Sequence, residues 1–118
     1  MHQELIQETL ESMRAYVPKL IDASGKIAED IQSHQAEWID LFMMYLDGMG
    51  WLNDAVTGIQ RLDTEILIGI DGQALVDLLV QMKQALEQED FVTLCDLLQY
   101  EVKPVLQRFE ECLVELAH

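Results

Sequence analysis

The chain has 118 residues, 50% of them hydrophobic and 25% charged, which is the composition of one globular domain and unlike that of a disordered protein. Its 22 acidic and 7 basic side chains give a formal net charge of −15. Nucleic acids and anionic membranes bind largely through Lys and Arg, so this charge argues against both as partners and favours a basic or amphipathic protein.

A hydrophobic repeat in alternating steps of four and three runs from residue 6 to residue 45. Its positions are Ile6, Leu10, Met13, Val17, Leu20, Ser24, Ile27, Ile31, His34, Trp38, Leu41 and Tyr45. A period of 3.5 residues is typical of helices packed in a bundle. One helix of this length would span about 60 Å, too long for a compact domain of this size. We therefore predict two helices, 3–32 and 34–61, with Ser33 capping the second; one continuous helix is the alternative.

The stretch "LDTEILIGIDG" (62–72) comes next and is long for a helix connection. It is too apolar to lie free in water, so we expect either packed irregular chain or an extension of a neighbouring helix. Asp71 and Gly72 then mark the start of a third helix at about 72–88.

A fourth helix is predicted at about 90–116, with Asp90 as its cap. Its apolar stripe again alternates steps of four and three: Phe91, Cys95, Leu98, Val102, Val105, Phe109, Cys112 and Leu116. Without any β-type alternation or tandem repeat, the simplest architecture is an all-α, up-and-down four-helix bundle forming a single domain over residues 1–118.

Pro18 and Pro104 fall near the middle of the first and fourth predicted helices. Both apolar stripes pass through the prolines without losing phase, which favours kinked helices over terminated ones. First and fourth helices are antiparallel neighbours in such a bundle, so we expect the two bends to lie at the same height and to nest. The alternative is that one proline starts a new short helix.

The N-terminus does not have the pattern of a signal peptide, because Glu4, Glu8 and Glu11 interrupt it. The two cysteines, Cys95 and Cys112, lie on the fourth-helix stripe and are interpreted as small buried hydrophobes. We therefore expect a soluble cytoplasmic protein.

Asp30, His34 and Glu37 are the residues closest to a metal-binding pattern. The di-metal sites of helical bundles need a Glu-x-x-His motif on each of two helices, whereas this chain has one His-x-x-Glu. Neither a phosphate-binding loop nor a nucleophile with a partner base is apparent, so we expect no enzyme activity, metal or cofactor. A metal- or ligand-binding bundle built on these three residues is kept as an alternative.

Excess apolar surface is the more informative feature. The six residues of "LFMMYL" (41–46) go all round a helix, so one face can meet the core while the other needs a second cover. That cover is the "EILIGI" linker, a second copy of the chain, or a different protein. Met43, Met44 and Trp51 are of the types common at adaptable binding surfaces.

A second candidate patch surrounds Pro104, which frees the carbonyl of Tyr100 from its helical bond. Leu97, Tyr100 and Pro104 lie three and four residues apart, on a face expected beside the core stripe, and Glu101 borders that stripe. We predict a groove between the second and fourth helices, formed by Met43, Met44, Trp51, Leu97, Tyr100 and Glu101, that binds an amphipathic helix of a partner protein.

The segment "ALEQEDFVTLCDLLQYEVKPVLQRFEECL" (85–113) resembles the C-terminal helical hairpin of small acidic flagellar or type III export chaperones. The resemblance implies a cytoplasmic helper that shields an amphipathic segment of another protein. The resulting hypothesis is a non-enzymatic interaction protein that forms a homodimer. A purely self-associating structural homodimer is a further alternative.

Overall fold

A computed structural model describes residues 2–116, which form four helical rods packed side by side; the predicted all-α bundle is confirmed. Helix α1 spans His2–Gln32, α2 Trp38–Leu62 and α3 Gly72–Glu87. Helix α4 (Phe91–Asp96) continues through a π-helical segment (Leu97–Val102) into α5 (Lys103–Leu116). These last three pieces follow one another without interruption and are together called the fourth helix.

Each rod packs against the rods before and after it in sequence, and the fourth helix returns to α1. The Arg14 Nε–H donates to the carbonyl of Leu113 at 2.9 Å, while the Cys95 thiol contacts the carbonyl of Ala28 at 3.7 Å. The early part of α1 thus meets the end of the fourth helix, as antiparallel packing requires. This is up-and-down topology, in which α2 and the fourth helix occupy diagonal corners.

One hydrophobic core runs the length of the bundle, and the 3.5-residue stripe of α1 faces it from Ile6 to Ile31. Ser24 interrupts that stripe and is completely buried. Its hydroxyl donates to the carbonyl of Leu20 at 2.9 Å and lies 2.7 Å from the hydroxyl of Tyr45. Because the single proton of Ser24 is already engaged, the Tyr45 O–H is the donor of this second bond. Burial raises the pKa of Tyr45, which keeps that proton in place.

Replacing Ser24 with Ala should destabilise the fold by about 1–3 kcal/mol, because the buried Tyr45 hydroxyl loses its acceptor. Tyr45→Phe should cost less, since Ser24 keeps its bond to Leu20. In the double variant no hydroxyl is orphaned, so its loss should be smaller than the sum of the single losses. Urea unfolding of the four proteins measures this, and strictly additive losses would contradict the bond.

The connection between α1 and α2 differs in detail from the prediction. The chain does break, which excludes a continuous helix, but α2 begins at Trp38 and Ser33 does not cap it. Instead α1 ends with His34 in the left-handed region (φ 58°) and the N–H of Gln35 donating to the carbonyl of Asp30 at 2.9 Å. This is a Schellman ending, in which Gly is the usual residue at the left-handed position. Sequence reasoning missed it because His occupies that position here.

The predicted caps of the third and fourth helices are confirmed. The Asp71 carboxylate accepts from the N–H of Ala74 at 3.1 Å, and that of Asp90 accepts from the N–H of Thr93 at 3.2 Å. The Thr93 hydroxyl adds a bond to Asp90 at 2.7 Å, and these hydrogen bonds lower the pKa of the Asp90 carboxyl. A side-chain cap bonds residues within one turn of each other, so it can be predicted from the sequence.

Residues 63–71 form irregular packed chain, one of the two predicted alternatives. Leu67 and Ile70 are buried, and the Gln60 amide donates to both of their carbonyls at 3.4 Å. A Cβ placed on Gly69 would lie 3.4 Å from Cys112 Sγ, so the segment reaches from α2 to the fourth helix. It covers the core beyond the end of the short helix α3.

The predicted fourth-helix stripe is confirmed at Cys95, Leu98, Val102 and Phe109 and wrong at its other positions. Leu106 and Leu113 are buried, whereas the predicted Val105 and Cys112 are partly exposed. The predicted end residues Phe91 and Leu116 are each 38% exposed. A π-helix has more residues per turn than an α-helix, so Leu97–Val102 rotates the residues that follow it and brings Leu106 and Leu113 to the core in place of Val105 and Cys112.

The two prolines do not meet as predicted. Helix α1 runs unbroken through Pro18, and Pro104 follows the π-helical segment inside a continuous helix, so neither starts a separate rod. Pro18 lines a cleft with Glu110 and Leu113. Lys103, next to Pro104, instead reaches Gly25, where a Cβ would lie 3.7 Å from its Nζ. Glu110 and Leu113 are six and nine residues beyond Pro104, so the cleft beside Pro18 is formed by a later part of the fourth helix.

Candidate helix-binding groove

Both α1 and α2 carry a second stripe beside the one that faces the core. Steps of four and three repeat along α2 through Met44, Gly48, Trp51, Ala55, Gly58 and Leu62, and along α1 through Leu5, Thr9, Ser12 and Tyr16. These stripes face each other across the outer side of the α1–α2 pair and line two adjoining hollows of about 480 Å³ each. We call this surface the α1–α2 groove.

Large and small residues alternate along the α2 wall, which gives the groove its depth. Met44, Trp51 and Leu62 are 69%, 41% and 41% exposed, and a Gly or Ala lies between each pair. The two hollows meet at Trp51 and Ser12, which line both. From Met44 to Leu62 the groove is about 27 Å long, since each helical residue advances 1.5 Å.

Tyr16 packs over α2 because Gly48 leaves room for it. Its ring packs edge-on against Trp51, with ring centroids 5.5 Å apart. A Cβ on Gly48 would overlap the Tyr16 hydroxyl and come within 3.0 Å of two of its ring carbons. Gly48 is buried under this ring, so the aromatic pair depends on the missing side chain.

Gly48→Ala should therefore displace Tyr16 and destabilise the protein by about 1–2 kcal/mol, the steric penalty exceeding the helix propensity that alanine adds. Gly50→Ala is the matched control, because nothing lies within 4 Å of a Cβ there. The control should stabilise α2 by about 0.5–1 kcal/mol. Chemical denaturation compares the two, and equal shifts would show that Tyr16 does not pack on Gly48.

The charged residues lining the groove are all acidic. Glu8 lies on the α1 side, and Asp47 and Asp54 lie seven residues apart on the α2 side. All three are exposed, and the ion pair within residues 2–116 joins two other residues, Lys26 and Asp30, at 2.9 Å. A groove with an apolar floor and acidic rims is complementary to a helix whose apolar stripe is flanked by basic residues.

The six residues predicted to form one groove do not come together. Met44 and Trp51 line the α1–α2 groove, whereas Met43 is 51% exposed on another face of α2. Leu97 was expected beside the core stripe but lies in the core, 7% exposed. Tyr100 (70% exposed) and Glu101 are on the fourth helix.

The predicted groove between the second and fourth helices is therefore wrong. The second and fourth rods are diagonal in the bundle and approach each other at one end, where the rings of Trp38 and Phe91 are 5.3 Å apart. A groove needs adjacent rods, and α2 has α1 as its neighbour along most of its length. The two hollows lie between α2 and α1 instead.

Asp30, His34 and Glu37 do not assemble into a metal site. Asp30 accepts a hydrogen bond from Lys26, and His34 and Glu37 lie in the connection before α2, not on a shared helix face. Over residues 2–116, no group of three or more His, Cys, Asp or Glu side chains is placed to hold a metal ion.

Sequence reasoning found Met44 and Trp51 but missed the opposite wall, formed by Leu5, Thr9, Ser12 and Tyr16. The pattern that reveals this wall is the second four-and-three repeat, offset by one residue from the core repeat of α1. Thr9 and Ser12 are polar, so a search for apolar residues alone passes over this repeat. The repeat is identified as a groove wall once it is placed opposite the similar repeat of α2.

The sequence matches the model of one protein family, a domain of unknown function (DUF8042), over residues 8–112. The chain belongs to this family. The matched range reaches from α1 into α5 and includes most of both groove walls. No curated protein and no solved structure matches the chain. Among the helices of residues 2–116, none combines the length and apolar character of a membrane span.

Proposed function

We propose that this protein is a non-enzymatic interaction module that binds an amphipathic helix of another protein in the α1–α2 groove. The observation that carries the proposal is the groove itself, an exposed apolar channel between two helices, about 27 Å long on its α2 wall and about 17 Å on its α1 wall. Contiguous apolar surface of this kind is unusual on a protein that has no partner.

The spacing of the groove walls supports a helix as the occupant. Both walls repeat every 3.5 residues on average, which is the period at which a docked helix presents its own apolar side chains. Gly58 leaves an open gap between Trp51 and Leu62 that an incoming side chain can enter, whereas Tyr16 already covers Gly48. A groove about 27 Å long matches a helix of about 18 residues.

A synthetic helix tests the proposal. The probe is an 18-residue peptide with Leu at heptad positions and Gln at its flanking positions, titrated into the full chain by calorimetry. We expect binding, and we expect Trp51→Ala to weaken it about 30-fold, the loss typical of a central aromatic anchor.

Met43→Ala is the control for this experiment. Met43 is exposed like Trp51 but lines neither hollow of the groove, so its removal should leave the affinity unchanged. Equal losses in the two variants, or the absence of any binding to the wild-type chain, would contradict the proposal.

We also propose a reducing compartment such as the cytoplasm. Cys95 and Cys112 are both free. Seventeen residues of the fourth helix separate them, about 25 Å, so they cannot bond to each other within one chain. Burial raises the pKa of the Cys95 thiol, which keeps it protonated and unreactive.

A further inference from the structure

We infer that the helix bound by the α1–α2 groove is cationic, with Lys or Arg on both flanks of its apolar stripe. This inference rests on the proposed function and adds the chemical class of the partner. The groove has an apolar floor, and each charged side chain that lines it is a carboxylate: Glu8 on one rim, Asp47 and Asp54 on the other. A helix lying between these rims carries its flanking residues directly beside them.

The rim carboxylates follow the same repeat as the groove walls. Asp47 and Asp54 are seven residues apart on α2, and the same spacing leads to Asp40 beyond Met44 and to Arg61 beside Leu62. On α1, Glu4, Glu8 and Glu11 follow steps of four and three. Each is exposed. An acidic row thus runs beside each wall at the spacing of a docked helix, and the α2 row ends in one base, Arg61, at the Leu62 end. The flanking positions of a coiled coil select their partners through charges at this spacing.

The same charges argue against a second copy of this chain as the occupant. Each copy carries a formal net charge of −15, and a symmetric contact through the groove would place acidic rims against each other. A like-charge contact of this kind opposes association. A cationic helix relieves the repulsion among the rim carboxylates and replaces it with attraction.

Three peptides that share one apolar stripe test the inference. Their flanking positions carry Lys and Arg, Gln, or Glu, and each is titrated into the full chain at low and high salt. We expect the cationic peptide to bind about tenfold more tightly than the Gln peptide at low salt, since several rim pairs of modest strength act together. This advantage should shrink at high salt, while the Glu peptide should bind weakest.

Two charge variants locate the effect. The rim variant Glu8→Gln/Asp47→Asn/Asp54→Asn should abolish the preference for the cationic peptide and retain binding of the Gln peptide. A matched variant, Asp77→Asn/Glu87→Gln/Asp96→Asn, removes the same number of exposed acids from α3 and α4 and should keep the preference. Similar losses in both variants would assign the effect to net charge and overturn the inference.

The remaining outcomes separate the inference from the proposed function. Equal binding of all three peptides overturns the inference and leaves the groove as a helix-binding site. Failure of all three to bind overturns the proposed function. A dimer in sedimentation equilibrium that Trp51→Ala dissociates would make a second copy the occupant and overturn the cationic partner.

Discussion

Phe42→Ala should destabilise the protein by about 3–5 kcal/mol, the largest loss we expect from a single truncation. Phe42 is completely buried in the core stripe of α2. Its ring lies 6.2 Å from the rings of both Trp38 and Tyr45, measured between centroids. Truncation removes these contacts and leaves a cavity between α2 and the rest of the core. Urea or guanidinium unfolding, followed by far-UV circular dichroism, measures the loss.

Met43→Ala is the matched control, since it changes the next residue of the same helix. Met43 is 51% exposed, so its truncation opens no cavity and adds a residue of high helix propensity. We expect its free energy of unfolding to stay within about 0.5 kcal/mol of wild type. Comparable losses of stability in the two variants would contradict the orientation of α2 that buries Phe42 and exposes Met43.

The sequence predicts the four helices and the starts of the third and fourth, though not that of the second, because the forces that place them are local. The period of α1 identifies the face that Ile6, Leu10 and Met13 bury, and this face is confirmed. Asp71 and Asp90 cap the residues that follow them within one turn. Such interactions involve neighbours in the chain, so their pattern is visible before the fold is known.

The π-helical segment is a feature that the hydrophobic repeat of the sequence does not predict. Leu94, Leu98, Val102 and Leu106 are buried at successive steps of four, a longer repeat than an α-helix gives. The alternating repeat through Val105 and Cys112 fits the sequence equally well. The choice between them is made by packing against α1 and by Pro104, whose missing N–H frees the carbonyl of Tyr100 just where the extra residue is accommodated.

The sequence predicts part of the α2 wall of the candidate groove and misses the α1 wall, for a related reason. The excess of apolar residues around Met44 and Trp51 indicates a second buried or binding face on α2. Which helix lies beside that face depends on topology, and the choice of the fourth helix conflicts with up-and-down order. In that order α1 and α3 are the neighbours of α2, and the Tyr16–Trp51 contact places α1 beside this face.

Leu67→Ala should destabilise the protein by about 2–5 kcal/mol, although Leu67 belongs to no helix. The side chain is 1% exposed and its carbonyl accepts from the Gln60 amide. Helix α3 has 16 residues against the 31 of α1, so part of the core between α2 and the fourth helix would face water without the 63–71 segment. Leu67 and Ile70 fill that position, which makes the segment part of the core.

Ile68→Ala separates this argument from a general sensitivity of the segment. Ile68 is the adjacent residue and is 81% exposed, so its truncation removes almost no buried surface. We expect thermal unfolding near the wild-type temperature for Ile68→Ala, and a fall of roughly 10 °C or more for Leu67→Ala in a domain of this size. A wild-type melting temperature for both variants would mean that the segment is a loose loop. In that case α2 and the fourth helix would need another cover at this end of the bundle.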